Sequence, residues 1–364
     1  MLTSPVLEYD QRNVQLWRGD CLHHLWDTPT NSIDSIVTDP PAGIAFMGKG
    51  WDKDRGGRDK WVDWLTERME EAYRVLKPGG HALVWALPRT SHWTALALED
   101  AGFEIRDCIT HLFGTGFPKS KSVLKPASEH WWLVRKPFNG AVAAIVLKHG
   151  VGALNINACR VNTKPRTTHS NGNHQGTAPQ PMSWGKATNY MVPGADGRWP
   201  SNVIISHANT PDGYDACADG CVDGCPVAEL DHQSGNSLST VGKPCTSKIP
   251  GNGWGMKATG AEYLDNGGAS RFFPVFRYQA KAPTSERPKI DGKSHNTVKS
   301  LALMRWLIRL ITPPDGTVLD MFAGSGSTGE AARAEGMSAI LIDSDPDSIA
   351  WSIQRLERTA SLPA

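Results

Sequence analysis

The sequence predicts an α/β fold, a doubly wound and mostly parallel sheet interrupted by a long loop-rich insert. Three observations predict it. Short apolar runs alternate with amphipathic helical patterns in both flanks of the chain, as they do when helices cover the faces of a parallel sheet. A strand, a glycine turn, a helix and a second strand stand near the C-terminus, in "TVLDMFAGSGSTGEAARAEGMSAILID". Between the flanks, from about Phe138 to Ala280, the chain is dense in Gly, Pro, Asn, Ser and Thr and has few periodic runs. A chain of 364 residues holds two domains or one domain with a large insertion. The return of the α/β pattern after the insert favours the second arrangement. The expected division is 1–137, the insert 138–290, and 291–364.

The elements follow in order. Val14 to Trp17 reads as a strand, and Ile33 to Thr38 as a second. Trp61, Leu65, Met69, Ala72, Tyr73 and Leu76 recur at helical spacing, with Gly79-Gly80 as the expected end of that helix. His81 to Leu87 is a third strand and Trp93 to Asp100 a helix. Ile105 to Phe113 and Trp131 to Val134 are further strands. Within the insert, "THSNGNHQGTAPQPMSWG" reads as loop, and loops this long are uncommon unless functional or disordered. Trp184, Trp199, Trp254 and "SRFFPVFRY" point to partial order. Val298 to Ile311 then forms an amphipathic helix and Pro313-Pro314-Asp315-Gly316 a turn. A strand ends in Asp320, a helix opens near Ser327, and a strand over Ala339 to Ile342 ends in Asp343.

Composition narrows the function classes. A formal net charge of +1 gives no global attraction to nucleic acid or to an anionic membrane, so binding to DNA would need local basic patches. No apolar run is long enough to cross a bilayer, and MLTSPVLEYD lacks the basic start and apolar stretch of a signal peptide. A cytoplasmic location is expected. The seven cysteines are odd in number and mostly scattered, which argues against a disulfide framework. Three of them, Cys217, Cys221 and Cys225, cluster with His207 in "HANTPDGYDACADGCVDGCP". Three thiolates and an imidazole can complete a tetrahedral zinc site in a region with a poor core. The C-x3-C-x3-C spacing is not one of the common zinc signatures; free thiols in a loop are the other reading, and Cys245 is a reserve ligand.

Two motifs carry the chemistry. The second strand runs into "TDPPAGIAFMGKGWD", where Asp39 is followed by Pro40, Pro41 and Ala42. Proline fixes φ and holds the preceding residue extended, so Asp-Pro-Pro is at least a stiff turn at a strand end. In "VLDMFAGSGSTG", Gly324 and Gly326 let the backbone pass close to a ligand, and the following helix start offers free N–H groups. An acid closing the next strand, here Asp343, accepts hydrogen bonds from ribose hydroxyls in nucleoside-binding layouts. A full Gly-x-Gly-x-x-Gly fingerprint is not in place. That counts against a nicotinamide enzyme, which would also leave Asp39-Pro40-Pro41 without a purpose.

Asp-Pro-Pro after one strand and Phe-Ala-Gly-Ser-Gly after another resemble the DNA methyltransferases that modify exocyclic amino groups, N6 of adenine or N4 of cytosine. The order of catalytic motif, insert and cofactor motif is similar to the permuted β group of that family. "HNTVKSLALMRWLIRLITPPDGTVLDMFAGSGSTG" is the most specific stretch. Insert segments "ALNINACRV", "GRWPSNVI", "VAELDHQSG" and "SRFFPVFRYQAKA" resemble those of phage and prophage members. The resemblance implies the class I S-adenosylmethionine-dependent methyltransferase fold, a seven-stranded sheet that the chain enters at the third strand. It supplies strands four to seven, leaves for the insert and returns with strands one and two.

Roles carry over residue by residue. Asp320, Phe322, Ala323, Gly324, Ser325 and Gly326 match the loop around the cofactor's methionine portion. Asp343 matches the ribose acid, and Asp20, after Gly19, the acid beside the adenine. Thr297 and Lys299, with His295, match a His-Pro-Thr-x-Lys-Pro signature in which Asn296 and Ser300 here replace both prolines. Asp39 and the carbonyl of Pro40 are expected to accept the two amino N–H groups of the target base, directing its lone pair toward the methyl donor. The family usually places an aromatic residue after the prolines to stack on the flipped base; this chain has Ala42, which leaves Phe46 and Trp51 as stacking candidates. An acid in the first position leans toward adenine, with N4-cytosine methylation or a catalytically impaired DNA-binding relative as alternatives. RNA or protein-glutamine modification is disfavoured, because those relatives often carry Asn-Pro-Pro. The expected partner is double-stranded DNA, contacted by Lys164, Arg166, Lys186, Arg198, Lys243, Lys248, Lys257, Arg271 and Arg277 of the insert. No membrane or obligatory protein partner is called for, and a homodimer is allowed. No nuclease motif is present, so a solitary methyltransferase is expected, serving either self-marking or evasion of restriction.

Overall fold

Ten strands form one sheet in the computed structural model, which describes residues 4–114, 121–122, 124–161, 197–208, 217, 220–238, 266–276, 288–290, 293–294 and 298–359. They are β1 (Val6–Gln11), β2 (Val14–Arg18), β3 (Ile33–Thr38), β4 (Leu76–Ala86), β5 (Glu104–Leu112), β6 (Ser128–Arg135), β7 (Val203–Ser206), β8 (Val275–Phe276), β9 (Thr317–Asp320) and β10 (Ser338–Asp343). The order across the sheet is β1-β2-β10-β9-β3-β4-β6-β5-β7-β8. From β2 to β4 all neighbours are parallel, and β6 runs antiparallel to both β4 and β5. The central seven strands thus have the expected permuted order. Three strands were not expected and extend the sheet at its edges. At one edge β1 returns on β2 through Arg12 and Asn13, both at positive φ (51° and 62°), the backbone of a tight twisted hairpin turn. At the other edge β7 and β8, both from the insert, continue the sheet beyond β5.

Helices cover both faces. On one, α1 (Cys21–Asp27), α2 (Arg58–Val75) and α3 (Ser91–Asp100) bury Leu25, Trp61, Leu65, Met69 and Leu98 against Ile36, Val84 and Leu319. The α2 stripe is the i, i+4 series read in the sequence. On the other face, α6 (Leu301–Ile311), α7 (Ser327–Ala334) and α8 (Pro346–Thr359) bury Leu303, Leu307, Ile308, Ala331 and Leu356 against Leu16, Val37 and Val318. α6 starts later than the apolar pattern because Ser300 caps it, its hydroxyl accepting from the Leu303 N–H at 3.4 Å.

One expected boundary is wrong. Gly79-Gly80 do not end α2, which stops at Val75 and passes directly into β4. Both glycines lie inside that strand. Gly79 has φ +82°, and a Cβ there would stand 2.6 Å from the Ile145 side chain of α4 (Val142–His149). Close packing of that helix, not chain termination, requires the glycine.

The strand order reverses between β9 and β3. From β9 the chain proceeds through α7 to β10 on one side, and from β3 through α2 to β4 on the other. Ligands of open α/β sheets bind in the crevice outside the carboxyl ends of the strands at such a switch point.

Candidate active site at the carboxyl edge of the sheet

Asp39 follows β3 directly, and the glycine turn follows its neighbour β9. The two motifs, nearly three hundred residues apart in the sequence, therefore stand side by side at the switch point. Thr38 ties them together. Its hydroxyl donates to Asp320 Oδ1 at 2.8 Å and accepts from the Met321 N–H at 3.2 Å.

The cofactor-side residues fall into two groups. Asp320 is buried, and its carboxylate is engaged within the protein by the hydroxyls of Thr38 and Thr328 (2.8 and 2.5 Å) and the Phe322 N–H (3.1 Å). Burial raises its carboxyl to about 6 against the pull of those donors. Asp320 thus organises the turn from within. Ala323 donates its N–H to Ile342 O at 3.0 Å, and the Ser325 hydroxyl lies 3.4 Å from that of Ser327. Gly324 and Gly326 have φ 54° and 74°. A Cβ on Gly326 would lie 3.0 Å from the Ser352 hydroxyl, so α8 approaches too closely for another residue there.

The second group opens onto a cavity of about 150 Å³ lined by Gly19, Asp20, Arg55, Trp64, Arg68, Phe322 and Asp343, among others. Asp343 Oδ2 accepts from the Gly324 N–H at 2.8 Å and Oδ1 from the Asp345 N–H at 2.9 Å. Burial, opposed by these bonds, raises its carboxyl to about 7. Asp20 caps α1 through Leu22 N–H (3.0 Å) and pairs with Arg68 at 3.1 Å. The Trp64 and Phe322 rings lie 5.8 Å apart, tilted at 47°, and the guanidiniums of Arg55 and Arg68 lie 3.9 and 4.6 Å from the Trp64 ring centre. Trp64 and Arg68 stand four residues apart on one side of α2. The sequence reading took only that helix's apolar stripe and missed them.

On the catalytic side, Lys299 is not among the residues lining the cavity. Its ammonium lies 3.1 Å from Asp39 Oδ2, 3.6 Å from Glu129 Oε2 and 3.9 Å from the centre of the Trp85 ring. Glu129 in turn accepts from Trp85 Nε1 at 2.8 Å and is 2.8 Å from His111 Nδ1. A carboxylate can only accept, so His111 donates through Nδ1, and its Nε2 meets the Ser206 hydroxyl at 2.6 Å. Burial raises the Asp39 carboxyl, partly offset by Lys299. Burial acts on Glu129 too, but there Lys299, His111 and Trp85 outweigh it and hold the carboxyl far below its ordinary range. Each of these groups sits at the same edge of the sheet: Trp85 near the end of β4, His111 near the end of β5, Ser206 at the end of β7 and Glu129 near the start of antiparallel β6. Sequence reading missed Trp85, His111, Glu129 and Ser206. Placing the β6 strand start at Trp131 left Glu129 outside it; polar residues at strand ends were the available signal.

The loop after the prolines is held by Asp52, a buried acid whose carboxylate accepts the N–H groups of Gly43 (3.0 Å) and Phe46 (2.8 Å). Thr90 donates its hydroxyl to Ala42 O at 2.9 Å. Gly43, at φ +70°, would drive a Cβ to 2.8 Å from the Trp61 ring, which fixes the backbone beside Ala42. Phe46 is half-buried and Trp51 is 45% exposed.

In the insert, the guanidiniums of Arg198 and Arg271 lie 4.6 and 4.3 Å from the ring centre of exposed Phe272, and Arg160 lies 5.6 Å from the ring centre of exposed Trp199. Thr297, His295, Asn296, Cys245, Trp184, Trp254 and the other basic residues named above, Lys164, Arg166, Lys186, Lys243, Lys248, Lys257 and Arg277, lie outside the described residues. No helix among the described residues is long and apolar enough to cross a membrane.

The profile of the N6/N4 DNA methylase family matches residues 33–354. The chain belongs to that family. Over 341 residues it is 22% identical to the DNA adenine methyltransferase YhdJ of Escherichia coli K12, covering 93% of this chain and 81% of YhdJ. It is 37% identical over 71 residues to the type II methyltransferase M.BglII of Bacillus subtilis and 32% over 78 residues to M.BamHI of Bacillus amyloliquefaciens. Those two alignments take in 20% and 21% of this chain and only 18% of each relative's length. The solved PvuII DNA methyltransferase (cytosine-N4-specific) superposes with TM-score 0.49 at 15% identity, over 98% of this chain and 94% of that one.

Proposed function

We propose that the chain is an S-adenosylmethionine-dependent DNA methyltransferase that modifies the N6 amino group of an adenine flipped out of the duplex. The observation that carries the reading is the meeting of Asp39-Pro40-Pro41 with the glycine turn at the two strand ends flanking the switch point. An exocyclic amine is a poor nucleophile because its lone pair is delocalised into the ring. Asp39 accepts one amino N–H and Pro40 O the other, which favours a pyramidal nitrogen and stabilises the charge that develops on it. Lys299 engages Oδ2 of Asp39, so Oδ1 is the oxygen assigned to the base. The proline pair and the Asp52-held loop keep these acceptors in place before the base arrives.

The residues present suit the cofactor. Two acids, Asp20 and Asp343, line the cavity as acceptors for ribose and adenine donors, and the Phe322 and Trp64 rings add apolar walls. When bound, S-adenosylmethionine supplies a methyl group already activated on a sulfonium. Cofactor affinity is expected to rise with pH up to about tenfold between pH 6 and 8, because an Asp343 carboxyl titrating at about 7 accepts ribose hydroxyls best when ionised. Calorimetric titration across that range checks it; a flat profile, or the same rise in Asp343→Asn, would sink this role for Asp343.

The arginine–aromatic contacts around Phe272 and Trp199 suit phosphate and base stacking and support DNA as the partner. The acid in the first position of the motif favours adenine. The relative aligned over 93% of the chain is named an adenine methyltransferase. With Ala42 in place of an aromatic residue, Phe46 and Trp51 remain the stacking candidates of the loop. Nucleoside mass spectrometry of mixed-sequence duplex DNA incubated with the protein and S-adenosylmethionine is the test. N6-methyladenine is expected. N4-methylcytosine would overturn the choice of base, and the absence of any methylated base, with cofactor bound, would overturn the activity on DNA.

A further inference from the structure

We propose that His207, Cys217, Cys221 and Cys225 hold a structural zinc ion that fastens the insert to the outer edge of the sheet. Their four donor atoms all lie within 4.8 Å of one another. Cys221 Sγ and Cys225 Sγ are 3.4 and 3.5 Å from His207 Nδ1. Around a tetrahedral ion with Zn–S of about 2.3 Å and Zn–N of about 2.0 Å, neighbouring donors stand roughly 3.5–3.8 Å apart. The two sulfur–nitrogen distances already match that spacing.

The donors come from separate pieces of chain. His207 follows β7, Cys225 is the residue that precedes α5 (Pro226–Ser234), and Cys217 and Cys221 lie on the segment between them. Among the described residues, the local core consists of Ile205, Cys217, Cys225 and Val227 with half-buried neighbours such as Leu112, Val203 and Leu230, apart from the two large cores of the sheet. Folding so small a unit around its own apolar surface is marginal, and metal ligation is the usual remedy.

The chemistry of the donor set selects the ion and its role. Three thiols and an imidazole suit zinc rather than calcium or magnesium, which take oxygen. Four protein donors close the tetrahedron, so the ion is structural and holds no water for catalysis. A disulfide would use two thiols and leave the third, and the converging imidazole, without a purpose. Backbone N–H groups of Ala208, Val227 and Ala228 bond to the Cys225 sulfur, the outer contacts that orient a thiolate ligand. Cys217 and Cys225 are buried while Cys221 is exposed, which leaves one side open for the ion to enter. His207 also stands next to Ser206, the partner of His111. The ion would therefore anchor the end of the strand that carries this contact.

The test needs no methylation assay, so its outcome is separate from that of the proposed activity. The full chain, expressed with zinc in the medium and purified without chelator or nickel resin, is assayed for metal by plasma mass spectrometry. About one zinc per chain is expected. Cys221→Ser, at an exposed position, is expected to lose most of it, and Cys108→Ser, in β5, to keep it. Cobalt exchanged into the wild-type protein is expected to give the thiolate charge-transfer and tetrahedral bands of a sulfur-rich site. This second readout does not depend on any variant folding. Stripping the metal is expected to lower the melting temperature, and zinc but not magnesium to restore it. Wild-type protein with no more zinc than Cys221→Ser, or a disulfide among these cysteines in freshly purified protein, would overturn the proposal.

Discussion

Replacing Asp39 by alanine is expected to slow methyl transfer by about a thousandfold, or about 4 kcal/mol of transition-state stabilisation, while cofactor affinity stays near the wild-type value. The size follows from what the carboxylate does. In the proposed reaction it is the acceptor for an amino group whose nitrogen becomes positive only as the bond forms, so its contribution is larger in the transition state than in the ground state. The cofactor residues stand apart from it, since the cavity is lined from β2, α2, β9 and β10 and not by Asp39. The fold should not suffer. Burial already raises the Asp39 carboxyl, so its ionised form is costly to keep, and Lys299 retains Glu129 as a partner when Asp39 is gone. A variant as stable as the wild type, or slightly more so, is the expected outcome, as at sites where function rather than stability keeps a residue. Single-turnover rates and thermal melts, measured together, decide it. A variant that keeps more than about a tenth of the rate would place the chemistry on another group.

The parts of this arrangement that sequence could supply are those written in local patterns. β3 is legible at the residues it occupies because Ile33, Ile36 and Val37 mark a strand that ends on a proline turn. The turn between β9 and α7 was read from its glycines, and the division of one α/β unit by an insert from composition. What escaped depends on which strands become neighbours. Glu129 and His111 are ordinary polar residues in the sequence. They become a chain of contacts to Asp39 only because β6 runs antiparallel between β4 and β5, bringing its first residues to the edge where β5 ends. Lys299 was matched to a cofactor signature by its place in the motif. Its ammonium meets two carboxylates and an indole face that converge from β3, β6 and β4, a convergence no local pattern shows. Gly79 was misread for a related reason: the side chain that excludes a Cβ there, Ile145, belongs to a helix after the last strand of that half.

The Lys299→Met variant follows from the same convergence. Lys299 lies between Asp39 and Glu129, and its ammonium lowers both carboxyls against the burial that raises them. Without it the Asp39 carboxyl loses its largest lowering influence while burial, Glu129 and Asp52 still raise it. The Asp39 carboxyl is then pushed further toward its protonated form, in which it accepts the amino N–H less well. The rate is expected to fall about ten- to a hundredfold near pH 7 and to recover partly as pH rises, because general-base and acceptor roles follow the ionised fraction. Stability should move the opposite way. A carboxyl raised in the folded state binds its proton where the unfolded chain has released it, so folding weakens as pH climbs from the unfolded value toward the folded one. That slope should be steeper in the variant. The loss at neutral pH is about 2 kcal/mol, below the 3–5 kcal/mol of a fully buried broken pair because all three groups keep some access to water. Lys299→Arg keeps the charge and should return the pH profile most of the way, whereas a merely structural role would lower the rate evenly at every pH. The affinity for S-adenosylmethionine decides the remaining alternative. It is expected to be unchanged in Lys299→Met, and a tenfold loss there would return Lys299 to the cofactor.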